Sequence, residues 1–286
     1  MVSKTPTGVA AGDGFEWSSG APEDESTTMT KKRKSKATKL KRKRRRNTIV
    51  LLLSLTLLLG LFLVVKCVRR HQAPAHIPDG YNSFCIDLSH HNGVVTDWDH
   101  LRIHVAADGT VVERAEDAAE TYPVTMVYVK ATEGEKMVDP RFHANWTAAR
   151  ARRYAVGAYH FYLSDKDPVK QAENFIRVVG PLRERDLAPV LDIEKMHRGC
   201  TERTLNADLR IWLETVEAHY GKKPVIYTSD NFARRVLASD ITSRYRIWVA
   251  HYGVSSPDFT NWSLWQFTDR GLVDGISGYV DLSVER

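Results

Sequence analysis

Residues 188–195 read APVLDIEK. An apolar run closing on two acids two residues apart reads as a buried strand that carries Asp192 and Glu194 on one face to the mouth of a sheet. Outward from it the same unit recurs. Phe84–Leu88, Val124–Lys130, Ala155–Phe161, Ala188–Ile193, Pro224–Thr228, Arg246–Ala250 and Ser263–Gln266 are short apolar runs with strand character. Between them Pro140–Arg153, Asp167–Val179 and Thr204–Tyr220 show helical periodicity. Alternating strands and helices predict an α/β protein with a parallel sheet. So many strands in about 200 residues fit a (β/α) barrel of the TIM type better than an open sheet. No glycine-rich phosphate loop follows the first strand, which weighs against a nucleotide site.

The net charge of +6 hides two opposite halves. Residues 1–70 hold 16 of the 41 Lys and Arg and 5 of the 35 Asp and Glu, a balance of +11; the remainder, 25 against 30, comes to −5. Twelve of the cations lie in Lys31–Arg46, directly before the uncharged 18-residue run Thr48–Val65. At 1.5 Å per residue that run spans about 27 Å, enough for a thin hydrocarbon core. Residues 48–68 therefore read as one transmembrane signal-anchor helix after a basic, disordered cytoplasmic tail (1–47). The charge bias places the N-terminus in the cytoplasm and the C-terminal part outside. No small-residue cleavage site follows the apolar run. Beside a membrane helix the basic run reads as an orientation signal and an anionic-lipid contact, not a nucleic-acid patch. Residues 69–82, with two prolines and a glycine, read as a short linker, and residues 83–286 as the barrel.

Paired carboxylates at a strand end suit glycosidic cleavage. One acid protonates the leaving oxygen while a second carboxylate stabilises or traps the positive charge at the anomeric carbon. On one strand face Asp192 and Glu194 have Cα atoms roughly 6.6 Å apart, and like charge with partial burial is expected to push one pKa upward. Barrels of this type gather such groups at the C-terminal ends of their strands, where Asp87, Lys130, His160, Asp192, Glu194 and Tyr227 fall. Cys67, Cys85 and Cys200 are an odd set without C-x-x-C spacing. Free thiols are the plainer expectation, although an exported domain permits a Cys85–Cys200 bridge. No His/Cys spacing suggests a metal site, and no cofactor is expected.

Nine stretches, in order, resemble glycoside hydrolase family 25, the Chalaropsis-type lysozymes or N-acetylmuramidases. They are FCIDLSHHNG (84–93), VYVKATEG (127–134), DPRFHANW (139–146), VGAYHFY (156–162), APVLDIE (188–194), KPVIYTS (223–229), IWVAHY (247–252), WQF (265–267) and GISGYVDLSV (275–284). The resemblance implies a modified β/α barrel that cleaves the β-1,4 bond between N-acetylmuramic acid and N-acetylglucosamine in peptidoglycan. It implies Glu194 as general acid/base, Asp192 as the acid that stabilises the intermediate or orients the acetamido group, and Asp87 and Asp281 as the other two acids. It also implies retention with participation of the substrate's N-acetyl group, while Asp192 as covalent nucleophile stays an open alternative. Tyr159, Tyr162, Tyr227, Trp248, Tyr252 and Trp265 offer flat rings for a sugar groove, part of them core, with Lys130, His160 and Gln266 as polar contacts. The chain departs from the family at Arg102–Pro123, where a longer polar segment replaces a short connection; Asp108-Gly109 marks a hairpin turn that either borders the groove or is an inert loop.

The leading expectation is a membrane-tethered muramidase acting in cell-wall remodelling. It would bind peptidoglycan glycan strands and the membrane through residues 48–68, with no nucleic-acid partner and an extracytoplasmic catalytic domain. A peptidoglycan-binding module without turnover is the alternative from another class; a hydrolase of another N-acetylated glycan such as chitin is the enzymatic one.

Overall fold

The computed structural model describes residues 40–45, 47–54, 56, 60 and 75–286. It divides into two compact units, Met1–His71 and Gln72–Arg286. In the first, the described residues are helical. Most of the expected anchor 48–68, and with it Cys67, lies outside the described residues. Among the described residues no helix is long and apolar enough to cross a membrane.

The second unit is built on ten strands: β1 (Phe84–Leu88), β2 (Arg102–Val105), β3 (Glu120–Glu133), β4 (Met137–Val138), β5 (Ala155–Phe161), β6 (Val190–Asp192), β7 (Val225–Ser229), β8 (Arg246–Ala250), β9 (Trp262–Leu272) and β10 (Tyr279–Glu285). Strands β1, β3, β5, β6, β7, β8 and β9 follow one another in parallel, and β10 closes the ring antiparallel to both β9 and β1. The result is an eight-stranded closed barrel with one reversed strand, the β/α barrel expected from the alternation in the modified form that the resemblance implies. Helices α1 (Phe142–Arg150), α2 (Pro168–Val179), α3 (Glu202–Tyr220), α4 (Asp230–Arg235) and α5 (Ser239–Arg244) occupy the crossovers.

Local chemistry sets these boundaries. Asp167 caps α2 by accepting from the amides of Val169 and Lys170, ahead of Pro168 in the first turn. Thr201 caps α3, and Gly221 ends it in the left-handed region at φ 65°. Inside the barrel, Cys85, Tyr128, Val190, Val225, Trp248 and Leu264 form a floor. Gly157 on β5 belongs to that floor, since a Cβ there would lie 2.0 Å from the Tyr128 ring. A larger core joins the outward faces of the strands to the helices, with Phe175 and Trp212 between α2 and α3.

The 102–123 segment is ordered. Strand β2 pairs antiparallel with the start of β3. The expected Asp108-Gly109 turn is present: the Ala106 amide donates to Thr110 at 2.8 Å, and Gly109 has φ +84°. The stretch read as a linker is docked from Ala75 onward. The Val111 amide donates to Ala75 O at 2.8 Å and the Ile77 amide to Gly109 O at 2.9 Å, around an isolated antiparallel bridge between His76 and Thr110. Cys85 is buried and Cys200 partly exposed, and both are free thiols.

Candidate active site

Strand geometry brings the four acids to one end of the barrel. Asp87 on β1 and Asp281 on β10 are direct cross-strand neighbours. Asp192 ends β6, level with Phe161 of β5 and Tyr227 of β7. Two residues on, Glu194 is exposed at the rim. All four line one open cleft of about 450 Å³, with Lys130, Tyr159, Tyr227, Trp248, Tyr252 and Gln266.

Gln266 organises the floor of this cleft. Its Oε1 accepts from the Tyr227 hydroxyl at 2.8 Å and from the Tyr252 hydroxyl, while its Nε2 donates to Asp87 Oδ2 at 2.9 Å. Trp248 is only 2% exposed; its Nε1 donates to Ser283 at 3.0 Å, and its ring packs between Tyr128 and Tyr227. Lys130 Nζ donates to Glu133 at 2.7 Å and sits 4.6 Å from the Phe161 ring centroid.

The acids repel one another in a half-dry site. Burial, then the Asp281 carboxylate, pushes Asp87 well above the ordinary carboxylate range, against the opposing Gln266 hydrogen bond. Burial, then Glu194 and Asp87, does the same to Asp192, with Lys130 opposing. Asp281 is pushed up to about 7 by burial and by Asp269 and Glu194. Asp192 Oδ1 is buried and has no hydrogen-bond partner in the protein. A desolvated carboxyl with a vacant lone pair is a receptor for a donor on the substrate, since leaving it unpaired costs about 1–3 kcal/mol.

Three expected contacts lie elsewhere. His160 faces outward from β5 because it alternates with Tyr159; it is 0% exposed, bonds Thr132 Oγ1 at 2.7 Å and stacks on Trp212. Tyr162, 2% exposed, is packed in the outer core. Trp265 alternates with Gln266 on β9, so its ring packs outside the barrel against Trp262 and Phe267. Sequence reasoning missed Ser89, His91, Glu133, Phe161 and Asp269, which also line the cleft. Glu133 was within reach, inside the VKATEG stretch three residues after Lys130. The SHHNG turn is held by Asp139, which accepts from the His90 amide at 3.0 Å and faces His90 Nδ1 at 2.7 Å.

Away from the cleft, Asp230, His251 and Asp258 bring ligand-type atoms within 4.8 Å of one another. Arg234 bridges the two carboxylates there, so the cluster already contains its own cation.

Comparison with known proteins agrees with this fold. The family model described as "Glycosyl hydrolases family 25" matches residues 86–276. "Uncharacterized protein YegX" of Escherichia coli O157:H7 is 36% identical over 211 residues, covering 73% of this chain and 71% of that protein. "Lysozyme M1" of Streptomyces globisporus is 34% identical over 55% of this chain and 58% of its own length. The crystal structure of the bacterial lysozyme from Streptomyces coelicolor superposes with a TM-score of 0.60 at 29% identity, over 73% of this chain and 94% of that one. The chain belongs to glycosyl hydrolases family 25. It is a glycoside hydrolase of the lysozyme type.

Proposed function

We propose that this chain is a membrane-tethered N-acetylmuramidase that hydrolyses the β-1,4 bond between N-acetylmuramic acid and N-acetylglucosamine in peptidoglycan. The observation that carries the reading is the convergence of Asp87, Asp192, Glu194 and Asp281 on one cleft, with Asp192 Oδ1 buried and unpaired. Glu194, at the open rim, protonates the glycosidic oxygen as the C1–O bond breaks. The substrate's acetamido oxygen attacks C1, a step made easy by its intramolecular placement. Asp192 accepts the acetamido N–H and stabilises the resulting cationic ring; that positive charge favours the ionised carboxylate. Water then adds to C1, giving its proton to the Glu194 carboxylate, and the configuration is retained. Asp87, held by Gln266, and Asp281 shape the acidic wall beside the sugar.

The tether rests on the uncharged run after twelve cations and on the exposed apolar side chains of the described helical residues Ile49–Leu53. With the barrel outside the membrane, an anionic, anchored domain suits remodelling of the cell's own wall more than attack on distant cells. Proton NMR of the first product tests bond and stereochemistry together. A new muramic-acid reducing end that appears first as the β-anomer is the expected result. Initial α-anomer overturns retention, and a glucosamine reducing end overturns the bond assignment.

A further inference from the structure

A second cavity, of about 530 Å³, opens beside the catalytic cleft and shares Tyr252 and Asp269 with it. One wall is the 110–117 segment, the part of the chain that departs from the family; the other is the outer end of β9. The wall is built to stay in place. Glu113 pairs with Arg270 and accepts from the Tyr279 hydroxyl at 3.3 Å, and Arg114 pairs bidentately with Asp117 at 2.8 Å. Ala75, which also lines the cavity, accepts from the Val111 amide at 2.8 Å and holds that edge of the segment.

Its chemistry differs from that of the cleft. The Tyr252 ring stands only at the shared edge, 40% exposed, and Phe267 is buried, so no row of open rings continues a sugar-stacking track. Instead, Arg114, Arg270, Glu113, Asp117 and Asp269 surround the space, three acids to two bases. Asp269 is exposed and makes no ion pair among the described residues. That lining complements a flexible chain bearing amide groups and an amine better than a neutral saccharide. In peptidoglycan such a chain branches from muramic acid, next to the bond to be cut.

We infer that this cavity is a subsite for the peptide substituent of muramic acid, with the Asp269 carboxylate receiving a side-chain ammonium group of that peptide. The inference rests on the muramidase reading and adds to it which peptidoglycan is accepted: strands still carrying amine-bearing peptides.

The test is calorimetric titration of the full chain carrying Glu194→Gln, which does not depend on turnover. Three ligands are compared: the disaccharide alone, the disaccharide with a peptide containing a diamino acid, and the same peptide with its side-chain amine acetylated. The amine-bearing ligand is expected to bind about fivefold tighter than either other, the size of one partly exposed ion pair. Adding Asp269→Asn, or Thr110→Trp to fill the cavity, should bring the three within about twofold. Equal affinities for all three ligands in the parent overturn the subsite. A wild-type chain that cuts nothing while the preference persists overturns the hydrolase mechanism and leaves the subsite standing.

Discussion

Gln266 touches three polar groups of the cleft at once, accepting from Tyr227 and Tyr252 and donating to Asp87. Its donated bond lowers a carboxyl that burial and Asp281 raise. In Gln266→Leu the Asp87 pKa therefore climbs further, and Asp87 stays protonated to higher pH. We expect kcat/KM to fall about tenfold or more with loss of this orientation, and the acidic limb of the pH–rate profile to move toward higher pH. An unshifted limb would remove Asp87 from the rate-limiting protonation state. Asp281 makes a prediction about stability. Its folded pKa of about 7 lies above the ordinary value of 3.8, so its stabilising contribution is complete below 3.8 and is lost as pH rises through 7. Asp281→Asn should melt higher than the parent at pH 8, by several degrees (about 2–4 °C per kcal/mol for this size), and the gap should close at pH 4.

Elements decide which of these residues reach the cleft. Strand limits were legible: β5 and β8 begin and end where the apolar runs do, because Ala155–Phe161 and Arg246–Ala250 are bounded by polar turns. Facing was harder to read. The parity of β5 sends Tyr159 inward and His160 outward, yet the run AVGAYHF is apolar on both faces, as a strand buried on both sides must be. β10 is not a continuous apolar run: Val280, Leu282 and Val284 alternate with polar residues, and its partners are the distant β1 and β9. Asp269 escaped notice for a related reason: β9 continues well past Gln266, and only pairing with β10 shows it. Gly157 ties β5 to the floor beneath the acids. Gly157→Ala places a methyl inside the Tyr128 ring's space and should cost about 1–3 kcal/mol, seen as a lower Tm. An unchanged Tm would show that Tyr128 yields freely. Asp139→Ala should release the His90 turn and cost about 1–3 kcal/mol by leaving the His90 amide unpaired; denaturant unfolding measures it.

At the scale of the whole molecule, the charge asymmetry carries a prediction of its own. A domain of net charge −5 is not drawn to an anionic wall, so raising ionic strength should not depress kcat/KM on intact wall material as it does for cationic enzymes. The proposed anchor predicts that the full chain resists alkaline carbonate extraction, while a chain lacking residues 48–68 is released; release of both would overturn it. The central claim is that the four-acid cleft cuts peptidoglycan on the muramic-acid side with Glu194 as its acid. It is tested most directly by digesting purified peptidoglycan with the full chain and with Glu194→Gln, reducing the new ends and identifying them by mass. Reduced muramic-acid ends from the wild type, with Glu194→Gln lower by about 10²–10⁴-fold, are the predicted result. Glucosamine ends, equal activity in the variant, or sedimentation of both proteins on an undigested wall would contradict it.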